Sequence, residues 1–258
     1  THGNGPQVGL LALQAASYDA VAPYPLDVLG AETEGMIGYM LALELENARP
    51  GRPIATLLTR TRVDAADPAM AAPTKFVGPI YRDDAQAQAS ASARGWTLGR
   101  DGAHLRRVVP SPAPKEIIEL AAIRLLVDHG VLVVCAGGGG IPVTRDQDGA
   151  LVGVEAVVDK DRASALLAAG LGADGLLLLT DVDAVYDQHG APAQAPIRRA
   201  TPASLGARSF PAGSMGPKVE AACQFVEGGG RFAAIGALAD AAALVTGEAG
   251  TRVEKDMS

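Results

Sequence analysis

The strongest restriction on this chain comes from four consecutive glycines, Gly137, Gly138, Gly139 and Gly140, set just after the apolar segment 131–135. An unbroken apolar run of that length suits a strand covered on both faces, as in the parallel sheet of an α/β protein. The glycines remove every side chain from one place at a cost in backbone order. Such a loop fits a spot where a phosphate or a substrate comes close to the backbone, and in open α/β sheets that spot lies at the carboxyl ends of strands. The run is not a dinucleotide fingerprint, because the sixth position counted from Gly137 is Pro142,. It is not a P-loop either, since no Gly-Lys-Ser/Thr follows.

The rest of the chain repeats the pattern of helix, strand and glycine-rich loop. Helical spacing covers residues 7–20 and 32–47, the latter with Met36, Ile37, Met40, Leu41 and Leu43 as its apolar positions,. A short strand follows at 53–58, and an amphipathic helix at 115–129 carries Ile117, Ile118, Ala121, Leu125 and Leu126 on its apolar side. Further helices read at 161–170 and 218–227, and further strands at 175–179 and 231–235. This alternation predicts one three-layer αβα domain spanning residues 1–258, with a mainly parallel central sheet,. Residues 60–110 break the rhythm with prolines, glycines, a small polar stretch and the single tryptophan, Trp96. Fifty structureless residues inside a compact domain are uncommon, so the segment reads as a protruding subdomain, or flap, with Val108 and Val109 bringing the chain back.

Charge and composition exclude several classes. Asp and Glu number 29 against 22 Lys and Arg, for a net charge of -7 and no basic run; phosphate neutralisation on nucleic acid needs clustered cations. The uncharged apolar stretch 131–144 is interrupted by four glycines and a proline, and no run of about 18 apolar residues exists, so no membrane span is expected. Two cysteines, Cys135 and Cys223, cannot build a disulfide framework and read as buried thiols in a reducing compartment,.

Four further loops carry chemistry. Gly3-Asn4-Gly5-Pro6 leads into a helix, whose free N–H groups favour an anion,. Lys160 lies between Asp159 and Asp161 at a helix start, where Asp161 is suited to cap the helix and orient a cation,. The loop Phe210-Pro211-Ala212-Gly213-Ser214-Met215-Gly216-Pro217 delivers Lys218 to the first turn of a helix. The helix dipole disfavours a cation there, so Lys218 requires an anionic partner, and a bound phosphate is one. The segment from Thr180 through Asp181 and Val182 to Tyr186 follows an apolar strand and suits a nucleotide edge, with Tyr186 near a base; a polar loop with a core tyrosine weighs equally,. Glycine loops that carry lysines on an acidic chain are the arrangement of phosphoryl transfer, where positioning and electrostatics supply most of the catalysis.

The same segments, taken in order, resemble carbamate kinase of the amino-acid kinase superfamily over essentially the whole chain. The matching runs are GNGPQVG (3–9), TEGMIGYM (33–40), DPAMAAPTK (67–75) and RRVVPSP (106–112). They continue with GGGGIPV (137–143), VEAVVDKD (154–161), LLTDVDAVY (178–186), GSMGPKVEA (213–221) and GEAGT (247–251). The resemblance implies reversible phosphoryl transfer between ATP and carbamate, Mg²⁺, a homodimer in the cytoplasm and a place in arginine breakdown. It implies that Lys160 and Lys218 contact nucleotide phosphates, that Asp161 orients them, and that Lys75 reaches the transferred group from the flap. Gly3, Asn4, Gly5 and the four glycines from Gly137 would surround the carbamate or carbamoyl phosphate, and Asp181, Val182, Tyr186, Met215 and Gly216 the nucleotide. Arg106 and Arg107 would brace the flap.

Three departures stand out. The resemblance implies a preceding strand and a Gly-Gly-Asn loop, about forty residues at typical element lengths, that this sequence does not contain. Glu34 stands where the family more often has glutamine, and Phe76 where proline often follows the flap lysine. Two other readings share the glycine loops: a related kinase with an acetylglutamate, glutamate or nucleoside monophosphate acceptor, and a non-catalytic nucleotide-binding relative.

Overall fold

A computed structural model of the chain describes residues 1–15, 17, 22–187, 194–211 and 214–256. It divides into two compact units, Thr1–Ala163 and Ser164–Ser258.

The first unit opens with α1 (Gly5–Ala15) and the long α2 (Leu26–Ala48). The strands β1 (Ile54–Thr56) and β2 (Arg60–Val63) follow, then a single turn, α3 (Pro68–Ala71). Next come β3 (Lys75–Tyr81), α4 (Asp84–Arg94), β4 (Thr97–Asp101) and β5 (His104–Val109). The remainder is β6 (Pro114–Ile117), α5 (Leu120–Asp128), β7 (Leu132–Val134), β8 (Ile141–Arg145) and β9 (Leu151–Gly153). The helix α6 (Lys160–Leu171) begins in this unit.

Parallel ladders join β1 to β7 and β2 to β8, while β6 and β9 pair antiparallel at the edges of a β6-β2-β8-β9 sheet. The glycine run sits between β7 and β8, at the carboxyl end of a parallel strand. Most of the segment expected to protrude forms its own antiparallel sheet, in the order β3-β5-β4, with α4 packed on it. Its first residues do something else: Arg60–Val63 are β2, laddered to β6 and β8. Val8 and Ala12 of α1 share a core with Leu26, Leu29, Val77 and Val109. The approach of α1 to β3 depends on Gly9, where an added Cβ would lie 2.0 Å from the Gly78 Cα.

The second unit holds β10 (Gly175–Thr180), β11 (Val185–Asp187), β12 (Ala195–Ile197) and β13 (Arg199–Ala200). These are followed by α7 (Pro202–Gly206), α8 (Met215–Glu227), β14 (Phe232–Ala237), α9 (Ala241–Thr246) and β15 (Thr251–Val253). Its main sheet has the order β10-β14-β15-β13, with β10 and β14 parallel from Gly175↔Phe232 to Thr180↔Ala237. Val219, Phe225 and Val226 of α8 pack with Leu176, Leu178 and Ile235 in one apolar core.

Three helices differ from their sequence expectations. Residues 115–129 do not form one helix: Pro114–Ile117 pair with β2, Ile118 N donates to the Arg60 carbonyl at 3.0 Å, and the helix starts at Leu120. Leu125 is 60% exposed and the buried residue of α5 is Ile123, so pairing with β2 overrides the helical spacing there. In α2 the buried face is Leu26, Leu29, Thr33, Glu34, Ile37 and Gly38; Met36, Met40, Leu41 and Leu43 are exposed. The helix α8 starts at Met215, which places Lys218 at its fourth residue. The expected helix at 7–20 is present to Ala15; residues 16 and 18–20 lie outside the described residues.

Candidate active site

The first unit contains a cavity of about 410 Å³ lined by Gly3, Asn4, Gly5, Lys75, Gly138 and Lys160, with Pro6, Phe76, Val157 and Val158 among its walls. Two glycine loops meet there. Gly138 N donates to the His2 carbonyl at 2.7 Å, and Asn4 Nδ2 donates to Thr33 Oγ1 at 2.9 Å. The Thr33 hydroxyl in turn donates to the Gly30 carbonyl of α2 at 2.8 Å. Gly138 is in the left-handed region, with φ 65°, and an added Cβ would lie 2.1 Å from the Asn4 carboxamide; no L side chain satisfies both conditions.

Of the four glycines, Gly138 alone lines the cavity. Gly137 lies against His2 and Glu34, Gly139 against the Val158 carbonyl, and Gly140 against Thr61. The Thr61 hydroxyl donates to the Gly139 carbonyl at 2.8 Å. These three build the loop rather than its inner surface.

Two lysines enter the cavity, each beside a carboxylate that is 6% exposed. Lys75, the first residue of β3, donates through Nζ to Asp159 Oδ2 at 2.6 Å. Lys160 Nζ lies 3.4 Å from Asp161 Oδ2. The Asp159 Oδ1 accepts from Asp161 N at 3.0 Å and Arg162 N at 3.2 Å. Asp159 therefore caps α6, the part expected of Asp161, because the helix starts one residue earlier, at Lys160,. Asp161 keeps the expected contact with Lys160. Burial raises the Asp159 pKa, but the Lys75 charge and the hydrogen bonds from Lys75, Arg162 and Asp161 outweigh it and hold the carboxyl below its ordinary value,.

Asp159 is the main site residue that local reading passed over. Its signal was the Asp-Lys-Asp sequence, but the partner that gives it a function is 84 residues away. Thr33, on the buried face of α2, is the second omission, and Glu34 beside it entered only as a departure from the family pattern. Glu34 Oε2 accepts from Thr59 N at 2.8 Å, while Oε1 is buried with no hydrogen-bond partner among the described residues. Burial pushes the Glu34 carboxyl up to about 8 against the opposing Thr59 hydrogen bond, with the Glu119 charge adding to the rise.

Arg107 ties the antiparallel sheet to a residue outside the segment 60–110, the bracing expected of both arginines, whereas the contacts of Arg106 stay within that segment. Arg107 stacks on Trp96 at 4.5 Å and pairs with Glu155 Oε1 at 3.0 Å. Arg106 donates to the Gly78 carbonyl at 2.7 Å and to Asp101 at 3.0 Å.

The second unit contains a cavity of about 620 Å³ at the carboxyl end of β10. Asp181, Val182, Tyr186, Met215 and Lys218 line it, together with Thr180, Ala184, Ser209, Phe210, Pro211 and Ser214. Lys218 is 7% exposed. Gly216 lies beside the wall, its N–H bonded to the Pro211 carbonyl at 2.9 Å. Tyr186 donates its hydroxyl to Asp183 Oδ1 at 2.8 Å. Val182, Ala184, Phe210, Pro211 and Met215 give an apolar lining suited to a flat aromatic group, with polar atoms to fix its orientation. Ala212 and Gly213 of the loop before Lys218 lie outside the described residues.

A polar anion cradle with two lysines, and a separate cavity suited to a base, are the parts a small-molecule kinase needs. A family model described as "Amino acid kinase family" matches residues 1–236. The chain belongs to the amino acid kinase family. Within that family it stands among the carbamate kinases. It is 55% identical to "Carbamate kinase" of Rhizobium meliloti (strain 1021), over 100% of this chain and 80% of that protein. It is 53% identical to "Carbamate kinase" of Escherichia coli (strain K12), over 97% of this chain and 82% of that one. The solved structure "Carbamate kinase from Giardia lamblia bound to AMP-PNP" superposes with a TM-score of 0.88 at 39% identity, covering 98% of this chain and 83% of that chain. The α/β fold expected from the alternation of helices and strands is thus the fold of the family.

Proposed function

We propose that this chain is a carbamate kinase in activity, transferring a phosphoryl group reversibly between ATP and carbamate to give ADP and carbamoyl phosphate. The observation that carries the reading is the glycine-lined cavity holding Lys75 and Lys160, on a chain 55% identical to a carbamate kinase. Carbamate already bears an anionic oxygen, so attack on the γ-phosphorus needs no protein base; the site must align the two and neutralise charge. In this reading Gly3, Asn4, Gly5 and the loop from Gly137 to Gly140 seat the carbamoyl group. Lys75 meets the transferred phosphoryl group, and Lys160 and Lys218 take the charge on the nucleotide phosphates. Asp161 orients Lys160. Asp181, Val182, Tyr186, Met215 and Gly216 form the nucleotide's surroundings. Residues 60–110 act as the flap that presents Lys75.

Among the described residues no group of three or more His, Cys, Asp or Glu is placed to hold a metal. In this reading the Mg²⁺ is held chiefly by nucleotide phosphates and water. When bound, the ion supplies further neutralisation of phosphate charge. We also propose a cytoplasmic homodimer in arginine breakdown. The exposed Met36, Tyr39, Met40 and Leu43 of α2 offer apolar surface for a second copy,; no helix among the described residues is long and apolar enough to cross a membrane.

The test is ATP formation from ADP, Mg²⁺ and carbamoyl phosphate by the full-length protein, run beside acetylglutamate and glutamate phosphorylation and a nucleoside monophosphate assay. Turnover of carbamoyl phosphate alone is expected. Turnover of another acceptor in its place, or ATP binding with no turnover, overturns the reading. Sedimentation at twice the chain mass is expected for the dimer.

A further inference from the structure

The Lys75–Asp159 pair contributes little as a surface ion pair, since the lysine side chain is 38% exposed,. The carboxylate, however, is 6% exposed and fully engaged. Oδ1 receives the two backbone N–H groups that open α6, and Oδ2 receives Lys75 from β3. The residues opened by that cap are Lys160 and Asp161, and Lys160 lines the same cavity as Lys75. A single planar group is thus bonded on one side to the segment carrying one cation and on the other side to the second cation.

We propose that Asp159 is a positioning residue for phosphoryl transfer, setting Lys75 and Lys160 relative to one another through its two carboxylate oxygens. The proposal rests on the reading of Lys75 as the lysine that meets the transferred phosphoryl group. A lysine ammonium has three donors. One is committed to Asp159, which fixes where the other two point and leaves them for phosphoryl oxygens. A flexible four-carbon stem has many rotamers, and this bond selects among them before the anion arrives. In-line transfer is sensitive to such placement, because small displacements of an aligned group cost large factors in rate.

The substitution Asp159→Asn separates the two jobs. Asn caps a helix as well as Asp does, so α6 keeps its start, while the group facing Lys75 becomes an amide that is uncharged. In the full-length protein, kcat/KM for carbamoyl phosphate is expected to fall about tenfold, with the KM for ADP within about twofold of wild type. In a Lys75→Met background the same substitution is expected to change kcat/KM by less than about twofold. Equal losses in the two backgrounds overturn the proposal, because a cap with a purely structural role acts with or without Lys75.

A second readout does not use turnover. In the ligand-free protein, acetic anhydride labelling of Lys75, measured by mass spectrometry against the exposed Lys115, is expected to rise severalfold in Asp159→Asn; an unchanged ratio overturns the proposal. If Asp159→Asn does not fold, Asp159→Glu keeps the charge and moves it, and the same loss confined to the Lys75 background is expected. A folded wild type without carbamoyl phosphate turnover brings down the functional reading alone, and the labelling ratio then decides the Asp159–Lys75 link by itself.

Discussion

The two cavities are built from different materials. The one in the first unit is made of backbone and cations: Gly3, Gly5 and Gly138 leave room for a ligand, and Lys75 and Lys160 supply charge. The one in the second unit is made largely of side chains, with Val182, Phe210, Pro211 and Met215 forming its surface and Lys218 its charge. A left-handed glycine wedged against a carboxamide has no substitute, whereas an apolar wall accepts exchanges of similar volume. The difference teaches that the glycine-lined cavity is the intolerant part of this protein and the apolar cavity the adaptable part, apart from its lysine.

The first way to break that contrast is to remove the charges. Lys218→Met and Lys160→Met are each expected to lower kcat by about 10³-fold, the scale of losing a preorganised charge at the reacting centre, with circular dichroism unchanged. If Lys218→Met retains turnover, the second cavity holds no reacting group and the contrast is sharper than drawn.

Next in size is Gly138→Ala. The φ of 65° and the 2.1 Å approach to Asn4 are expected to cost about 1–3 kcal/mol of stability, the range for strained backbone, and to abolish turnover. A urea midpoint and an assay on the same preparation check it, and a fully active variant would show that the cradle tolerates what its geometry forbids.

Glu34 tests the support beneath the same loop. Its carboxyl stays neutral in the folded chain up to a pKa of about 8, against an ordinary value of 4.5. A raised pKa means that stability is full below about pH 4.5 and falls as pH rises toward 8, because the unfolded chain ionises first. Glu34→Gln removes that slope. It is expected to exceed wild type by on the order of 4 kcal/mol at pH 8 and to match it near pH 4.5, as read from urea midpoints across pH. An identical slope in both proteins assigns the pH dependence to other groups.

The smallest effect belongs to the adaptable cavity. Met215→Leu is expected to leave turnover intact and raise the KM for ADP by less than about threefold, as volume-conserving apolar swaps do. A loss as large as that of Gly138→Ala would erase the contrast between the cavities.

The chemistry-bearing loops were legible because their signals are covalently local. A glycine run after an apolar strand, Asn4 between two glycines, and lysines at helix starts each stand out within a few residues, and the structure places them at the walls of its cavities. The apolar strands later found as β7, β10 and β14 were legible for the same reason, since a strand buried on both faces cannot hide polar residues. The helix at 115–129 misled, because nothing near Pro114 shows that Pro114–Ile117, which overlap the first three residues of that run, pair with β2. The apolar stripe of α2 misled because Thr33 and Glu34, not Met36 and Met40, face the core.

Local sequence therefore settles which kinds of group line the two cavities and where in the chain they occur. Tertiary structure alone assigns their partners. Asp159 meets Lys75 across 84 residues, and Glu34 meets Thr59 across 25. Whether a carboxylate is an ion-pair partner, a helix cap or a buried neutral acid depends on the water it has lost and the donors it has gained, and both quantities are set only when distant segments pack.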